Sequence, residues 1–88
     1  MHFKMLGKIW RLEWVRRFKD REQHGECDHP EKINKAIRVR EGMSELDTLD
    51  TLIHECMHCG FWQIDEEFVS QFSTDLARLL VRLGYRRQ

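Results

Sequence analysis

Ser44-Glu45-Leu46-Asp47-Thr48-Leu49-Asp50-Thr51-Leu52-Ile53-His54-Glu55-Cys56-Met57-His58-Cys59-Gly60 reads as one amphipathic helix with a start, a stop and a chemical motif inside it. Ser44 is an N-cap candidate, and Asp47 stands where a weak form of the capping box places its acid. Leu46, Leu49, Ile53, Cys56 and Met57 recur at helical spacing. Gly60 falls where a C′ glycine ends a helix. Within this frame His54-Glu55-Cys56-Met57-His58 is an H-E-x-x-H pentapeptide. Residues four apart stand one above the other on a helix, so both imidazoles project from one face and can grip one metal ion. Glu55 lies roughly 100° round from His54, where it can take a proton from a water. Two histidines, an open metal position and a nearby carboxylate are the working parts of a zinc hydrolase.

A helical wheel refines this. With His54 at zero, Asp47, His58 and Thr51 fall between ~20° and ~60°, while Leu46, Leu49, Ile53, Cys56 and Met57 fall between ~200° and ~300°. The histidines are therefore expected on a polar stripe distinct from the packing face. Catalytic zinc takes a third protein ligand. No histidine follows His58, which leaves Asp65, Glu66 and Glu67 at the start of a final helix. That helix carries Phe68, Val69, Phe72, Leu76, Leu79, Leu80 and Leu83, and Gly84 closes it. On its wheel Glu66 lies within ~20° of the small residues Ser73 and Ala77 and flanks the apolar face, whereas Glu67 sits ~100° away among Gln71, Thr74 and Arg78. Glu66 is the favoured third ligand. Acids at a helix N-terminus also answer the helix dipole, a role compatible with ligation.

Working towards the N-terminus, Glu41-Gly42 supplies a turn. Ile33, Ile37 and Val39 share parity, so residues 33–40 read as a strand, with Arg38 and Arg40 on the wetter face. If its edge is free, this strand can pair with an extended peptide. Residues 19–32 are charged, hold Gly25 and the only proline, Pro30, and read as a loop. Residues 9–15 alternate, with Trp10, Leu12 and Trp14 on one side, and read as an earlier strand. A helix over residues 6–18 is the competing reading, because Trp10 and Trp14 also stand four apart. The order strand, strand, helix, helix indicates a single α+β domain over residues 1–88: a short antiparallel sheet, the H-E-x-x-H helix and a C-terminal helix.

The chain has 88 residues and a net charge of zero, unevenly spread. Residues 1–21 carry seven Lys/Arg against two acids, residues 45–67 carry seven acids and no Lys/Arg, and residues 68–88 carry four arginines against one acid. The acidic block holds the H-E-x-x-H motif, where negative potential suits a bound cation. The basic ends read as solvated faces, with nucleic acid or an acidic partner as the functional alternative. No run of eighteen apolar residues is present, so no membrane span is expected. Three cysteines do not suit a closed disulfide framework, and a reducing, cytoplasmic compartment is expected. Residues 1–7 read as no secretory signal.

Residues 46–58 resemble the active-site helix of small zincin-type proteins of phages and prophages. The stretch Glu66-Glu67-Phe68-Val69-Ser70-Gln71-Phe72 is similar in spacing to the ImmA/IrrE-like metallopeptidases. In that family a zinc-binding glutamate opens a helix, with a small residue three positions on and an aromatic three beyond that. Val69 and Phe72 occupy those places here, with valine where alanine is usual. The resemblance covers residues 44–84, and the N-terminal half matches only in the order of its elements. It implies a minimal zincin-like domain, zinc on His54, His58 and Glu66, Glu55 as general base, a protein or peptide substrate, and a setting such as a phage-infected bacterial cytoplasm.

The cysteines supply a rival metal set, Cys27, His29, Cys56 and Cys59, because Cys56-x-x-Cys59 resembles half a zinc knuckle. Cys56 points about 200° from His54 and reads as a small core residue, and Cys59 as a helix-end residue. Cys27, just before the second strand, is placed to approach the cleft. His24, His29 and Tyr85 are candidates for a second electrophile. The functional expectation is a zinc metallopeptidase with Glu55 as the base. The alternatives are a non-catalytic, zinc-stabilised module that binds a protein or nucleic acid and a metal-free helical adaptor.

Overall fold

The computed structural model describes residues 1–86. Its elements run β1 (His2–Met5), β2 (Lys8–Val15), β3 (Gly25–Cys27), β4 (Ala36–Arg40), α1 (Glu45–Gly60) and α2 (Glu66–Arg82). The architecture is α+β, and both helices form where their caps and periodicity put them. The sheet departs from the antiparallel one expected. Its order is β1-β2-β4-β3; β2 and β4 run parallel, and the two outer pairs are antiparallel. Two short strands make the difference. His2–Met5 folds back onto β2 through Leu6 and Gly7, whose φ angles are +50° and +80°. Gly25–Cys27 forms inside the segment read as a loop. Strands of four and three residues are too short for alternation to show.

The connection from β2 returns β4 to β2's side in the same direction and leaves β3 on the outer edge. β4 is therefore an inner strand, and the free-edge role proposed for residues 33–40 falls away. Its start also moves. Ile33 is 84% exposed and outside the strand, because Asn34 takes a left-handed φ of +55°. The strand begins at Ala36, whose N–H is taken by Asp28 Oδ2 at 2.9 Å.

The helix-facing side of the sheet carries the core. Trp10, Ile37 and Cys59 form a buried cluster, with Phe3, Met5, Leu12, Cys27, Leu52 and Cys56 packed against it. Trp10 and Leu12 thus share the inward parity read from the sequence. Phe3 stacks on Trp10 with ring centroids 6.5 Å apart. Burying each large side chain here contributes roughly 1.5–3 kcal/mol. Across the opposite face, register aligns Glu13, Arg38 and Glu26. Arg38 takes the wetter face opposite Ile37 and Val39, as expected. Its guanidinium, 21% exposed, sits among carboxylates and donates to Glu26 at 3.0 Å and Asp28 at 2.9 Å. Arg40 donates to the carbonyls of Arg21 and Gln23 and pins the loop leading into β3.

Helix α1 starts as predicted, with Ser44 Oγ accepting the Asp47 N–H at 3.1 Å. Its end differs. Gly60 is the last helical residue, Phe61 caps it, and Gly60 is absent from the positive-φ glycines. Its smallness serves packing instead, because a Cβ there would meet Leu6 Cδ1 at 2.7 Å. Gly84 closes α2 in the left-handed region at φ +91°, and Tyr85 N–H reaches back to Leu80 O, a Schellman-type stop.

Helix α2 packs on α1 through Val69, Ser73 and Ala77, one small side chain per turn, all fully buried. Ser73 and Thr74 each donate to one oxygen of Asp50 at 2.8 Å, which locks the two helices in register. The broad apolar stripe of α2 is buried only in part, with Val69 fully enclosed and Leu76 and Leu80 half-buried. Phe68, Phe72, Leu79 and Leu83 stay exposed, because α1 is the single element α2 contacts and one helix covers only one face. Among the described residues no helix is long and apolar enough to cross a membrane. Of the four arginines counted in residues 68–88, Arg87 lies outside the described residues.

Candidate metal centre

His54 and His58 stand on successive turns of α1 with ring centroids 5.1 Å apart. Glu66, the first residue of α2, spans them. Its Oε1 lies 2.7 Å from His54 Nε2 and its Oε2 lies 2.9 Å from His58 Nε2. Local chemistry puts Glu66 there. Asp65 caps α2 by accepting the Phe68 N–H at 2.9 Å, so the first turn begins beside α1, and the Asp50 contacts fix the distance between the helices. Ligand atoms from His54, His58 and Glu66 all lie within 4.8 Å of one another, and the three could hold a metal ion. Glu67, one step round the helix and exposed, is not brought to the histidines.

Glu66 and not Glu67 lies against the histidines, whereas the wheel misplaced the histidines' surroundings. Thr51, Glu55, His58 and Cys59 are the buried residues of α1. The polar stripe thus faces the sheet edge, while Leu46, Leu49, Ile53, Cys56 and Met57 are only half-buried. The reason lies on β3. A Cβ on Gly25 would stand 2.6 Å from Thr51 Cγ2, 3.0 Å from Arg38 O and 3.1 Å from Glu55 Oε2. Glycine lets α1 lie against the strand with its polar face inward. Glycine within a strand often marks such a close approach, and that was the available signal.

Glu55 is 8% exposed, and among the described residues no hydrogen-bond donor reaches its carboxylate. Burial pushes its carboxyl up to about 7; His54 pulls it down, and Glu66 and Glu26 push it further up. Two cavities of about 390 and 380 Å³ meet at Gly25, His54, Glu55 and Glu66. The first continues past Glu22, His24 and Asp47. The second continues past Cys27 and Trp62. Trp62 sets its ring edge-on to His58 at 6.3 Å between centroids; sequence reading missed it, although it lies just beyond the helix that carries the motif.

Of the candidate electrophiles, His24 lines the first cavity. His29 packs on Trp62 at 4.9 Å. Tyr85 lines a separate apolar hollow with Leu49 and Leu52, away from the cleft. The rival cysteine set is not gathered. Cys27 does reach the cleft, with its Sγ 3.9 Å from Cys59 Sγ, but Cys56 packs on the core. His29 accepts the Glu31 N–H through Nδ1. All three cysteines are free. The hydrogen bond with Cys27 and burial hold the Cys59 thiol well above its usual range, and burial raises Cys56.

Comparison with family models, curated proteins and solved structures finds no match to this chain.

Proposed function

We infer that this protein is a zinc-dependent peptidase whose site is built from His54, His58, Glu66 and Glu55. The observation that carries the reading is the carboxylate of Glu66 bridging the two Nε2 atoms, with the buried, unpartnered Glu55 beside them. Two imidazole nitrogens and one carboxylate from two elements form the donor set of catalytic zinc sites, which leave a position open. A divalent cation taking the place of the direct contacts would be held by the same three residues.

When bound, zinc supplies Lewis acidity to the attacking water and to the scissile carbonyl. The chain's own residues supply the rest. Glu55 accepts the proton of the attacking water and passes it to the leaving amine. Its burial leaves the carboxylate poorly solvated and available as a base near neutral pH. Gly25 makes room for that carboxylate. β3, rather than β4, is the edge strand beside the cleft, so an extended peptide would align there by strand addition, displacing the Gln23 side chain from the Gly25 carbonyl. Asp50, through Ser73 and Thr74, keeps Glu66 at the correct distance from α1.

The test combines metal analysis with one substitution. The purified protein should carry one zinc per chain and cleave a peptide bond in a peptide library. Glu55→Gln should keep the zinc and stop cleavage, because Gln matches the side chain in size but takes no proton. Stoichiometric zinc with no cleavage, together with a protein side chain filling the remaining zinc position in a metal-loaded crystal structure, would replace this reading with the zinc-stabilised module.

A further inference from the structure

We propose that the exposed face of α2 is a dimer interface, on which a second copy of this chain packs its own α2 antiparallel. Phe68 is 53% exposed, Phe72 46%, Leu79 51% and Leu83 64%. With Leu76 at zero on the α2 wheel, these four fall between ~280° and ~340°, apart from the stripe of Val69, Ser73 and Ala77 at ~20° to ~100° that packs on α1. Phe68 and Phe72 are already stacked, with centroids 6.0 Å apart, so the strip is preorganised. Phe72, Leu76, Leu79 and Leu83 follow the four-three-four spacing of a coiled-coil seam. An apolar strip of a few hundred Å² marks an interaction site on a soluble domain. Two such strips and their rims together bury roughly 1,000 Å², the size a specific interface requires.

Charge selects a second copy as the occupant. Asp75, Arg78 and Arg82 line one edge of the strip, at ~260°, ~200° and ~240°. None of the salt bridges among the described residues uses them. A two-fold axis perpendicular to the paired helices, crossing between residues 77 and 78, sets this edge along the same edge of the second copy. Phe72 then faces Leu83 of the second copy, and Leu76 faces its Leu79. In the same register Asp75 falls opposite position 80 of the second copy, between its Arg78 and Arg82. Apolar and charged pairs are satisfied together, twice over, by one register. Glu66 lies at ~80° on this wheel, far round the helix from the strip, so pairing leaves the cleft between α1 and β3 open. The interface does not depend on the metal reading.

Sedimentation equilibrium across the micromolar range tests this on the chain as it is. The expected mass is twice the 10.7 kDa of one chain. Leu79→Glu should give a monomer with an unchanged helical circular dichroism spectrum. Asp75→Arg should weaken the dimer about tenfold by turning attraction into repulsion at two symmetric sites. Adding Arg78→Asp and Arg82→Asp to Asp75→Arg should restore it. These edge positions are exposed, so the charge series still decides the matter if Leu79→Glu does not fold. A monomeric mass throughout, polydisperse aggregates in place of a dimer, or a dimer indifferent to the charge exchange overturns the proposal.

Discussion

Gly25 lies directly beneath Glu55: a Cβ on Gly25 would come within 3.1 Å of Glu55 Oε2. The two residues belong to the edge strand β3 and the helix α1, thirty positions apart. Their closeness sets both the depth at which the Glu55 carboxylate is buried and the distance of the histidines from the sheet.

Gly25→Ala should therefore damage the site and the fold together. The added methyl would also stand 2.6 Å from Thr51 Cγ2, so α1 must lift. Overpacking of this kind costs about 1–3 kcal/mol. We expect a lower melting temperature and weaker zinc binding by titration. Thr51→Ser, which removes the opposing methyl, should recover part of both. An unaltered melt and affinity in Gly25→Ala would show that α1 does not rest on this strand.

Glu66→Ala and Glu67→Ala should part company. Glu66 touches both histidines, so its loss removes a third of the ligand set, and zinc affinity should fall at least tenfold. Glu67→Ala should stay within a factor of about three, since a surface charge near the site acts only through screened electrostatics. Competition against a chromophoric chelator measures both, and equal affinities would remove Glu66 from the site.

Metal removal should destabilise the protein. The site joins α1 to the first turn of α2, and the unfolded chain does not present it. Free zinc at a hundred times its Kd adds about 2.7 kcal/mol to the folded state. For a domain of this size that raises the melting temperature by more than about 10 °C. Calorimetry with and without chelator should show the difference, and His58→Ala should abolish it.

The metal-free protein should lose stability as pH rises through neutrality. Burial raises the Glu55 carboxyl from 4.5 to about 7, so the folded state holds this proton more tightly than the unfolded chain does. Below about pH 4.5 Glu55 is protonated in both states and contributes no difference. Between pH 4.5 and 7 the unfolded chain ionises first, which progressively destabilises the fold; above about pH 7 Glu55 is ionised in both states and the penalty stays constant. Metal-free Glu55→Gln lacks this penalty. Urea unfolding should find it more stable than the native chain by about 3 kcal/mol at pH 8, with the difference vanishing near pH 4.5. A difference independent of pH would mean that Glu55 ionises as freely in the fold as in the unfolded chain.

Local signals carried much of this protein. Ser44, Asp65 and Gly84 mark helix ends through bonds made within a few residues, so α1 and α2 were legible from spacing alone. The i, i+4 geometry of a helix places His54 and His58 together in any tertiary setting, and the step from Glu66 to Glu67 is likewise a property of one helix. The alternation of Trp10 and Leu12 marked the inward face of β2 in the same way. Tertiary structure decided the rest. Whether β4 lies at an edge or between two strands depends on which distant segment pairs with it, and β1 and β3 are too short to announce themselves. Which face of α1 is buried depends on a glycine in another element, because hydrophobic periodicity records apolar content and not the space a neighbour leaves open. The apolar face of α2 looked like core for the same reason: the residues show that it avoids water, and only the packed fold shows that α1 leaves it uncovered.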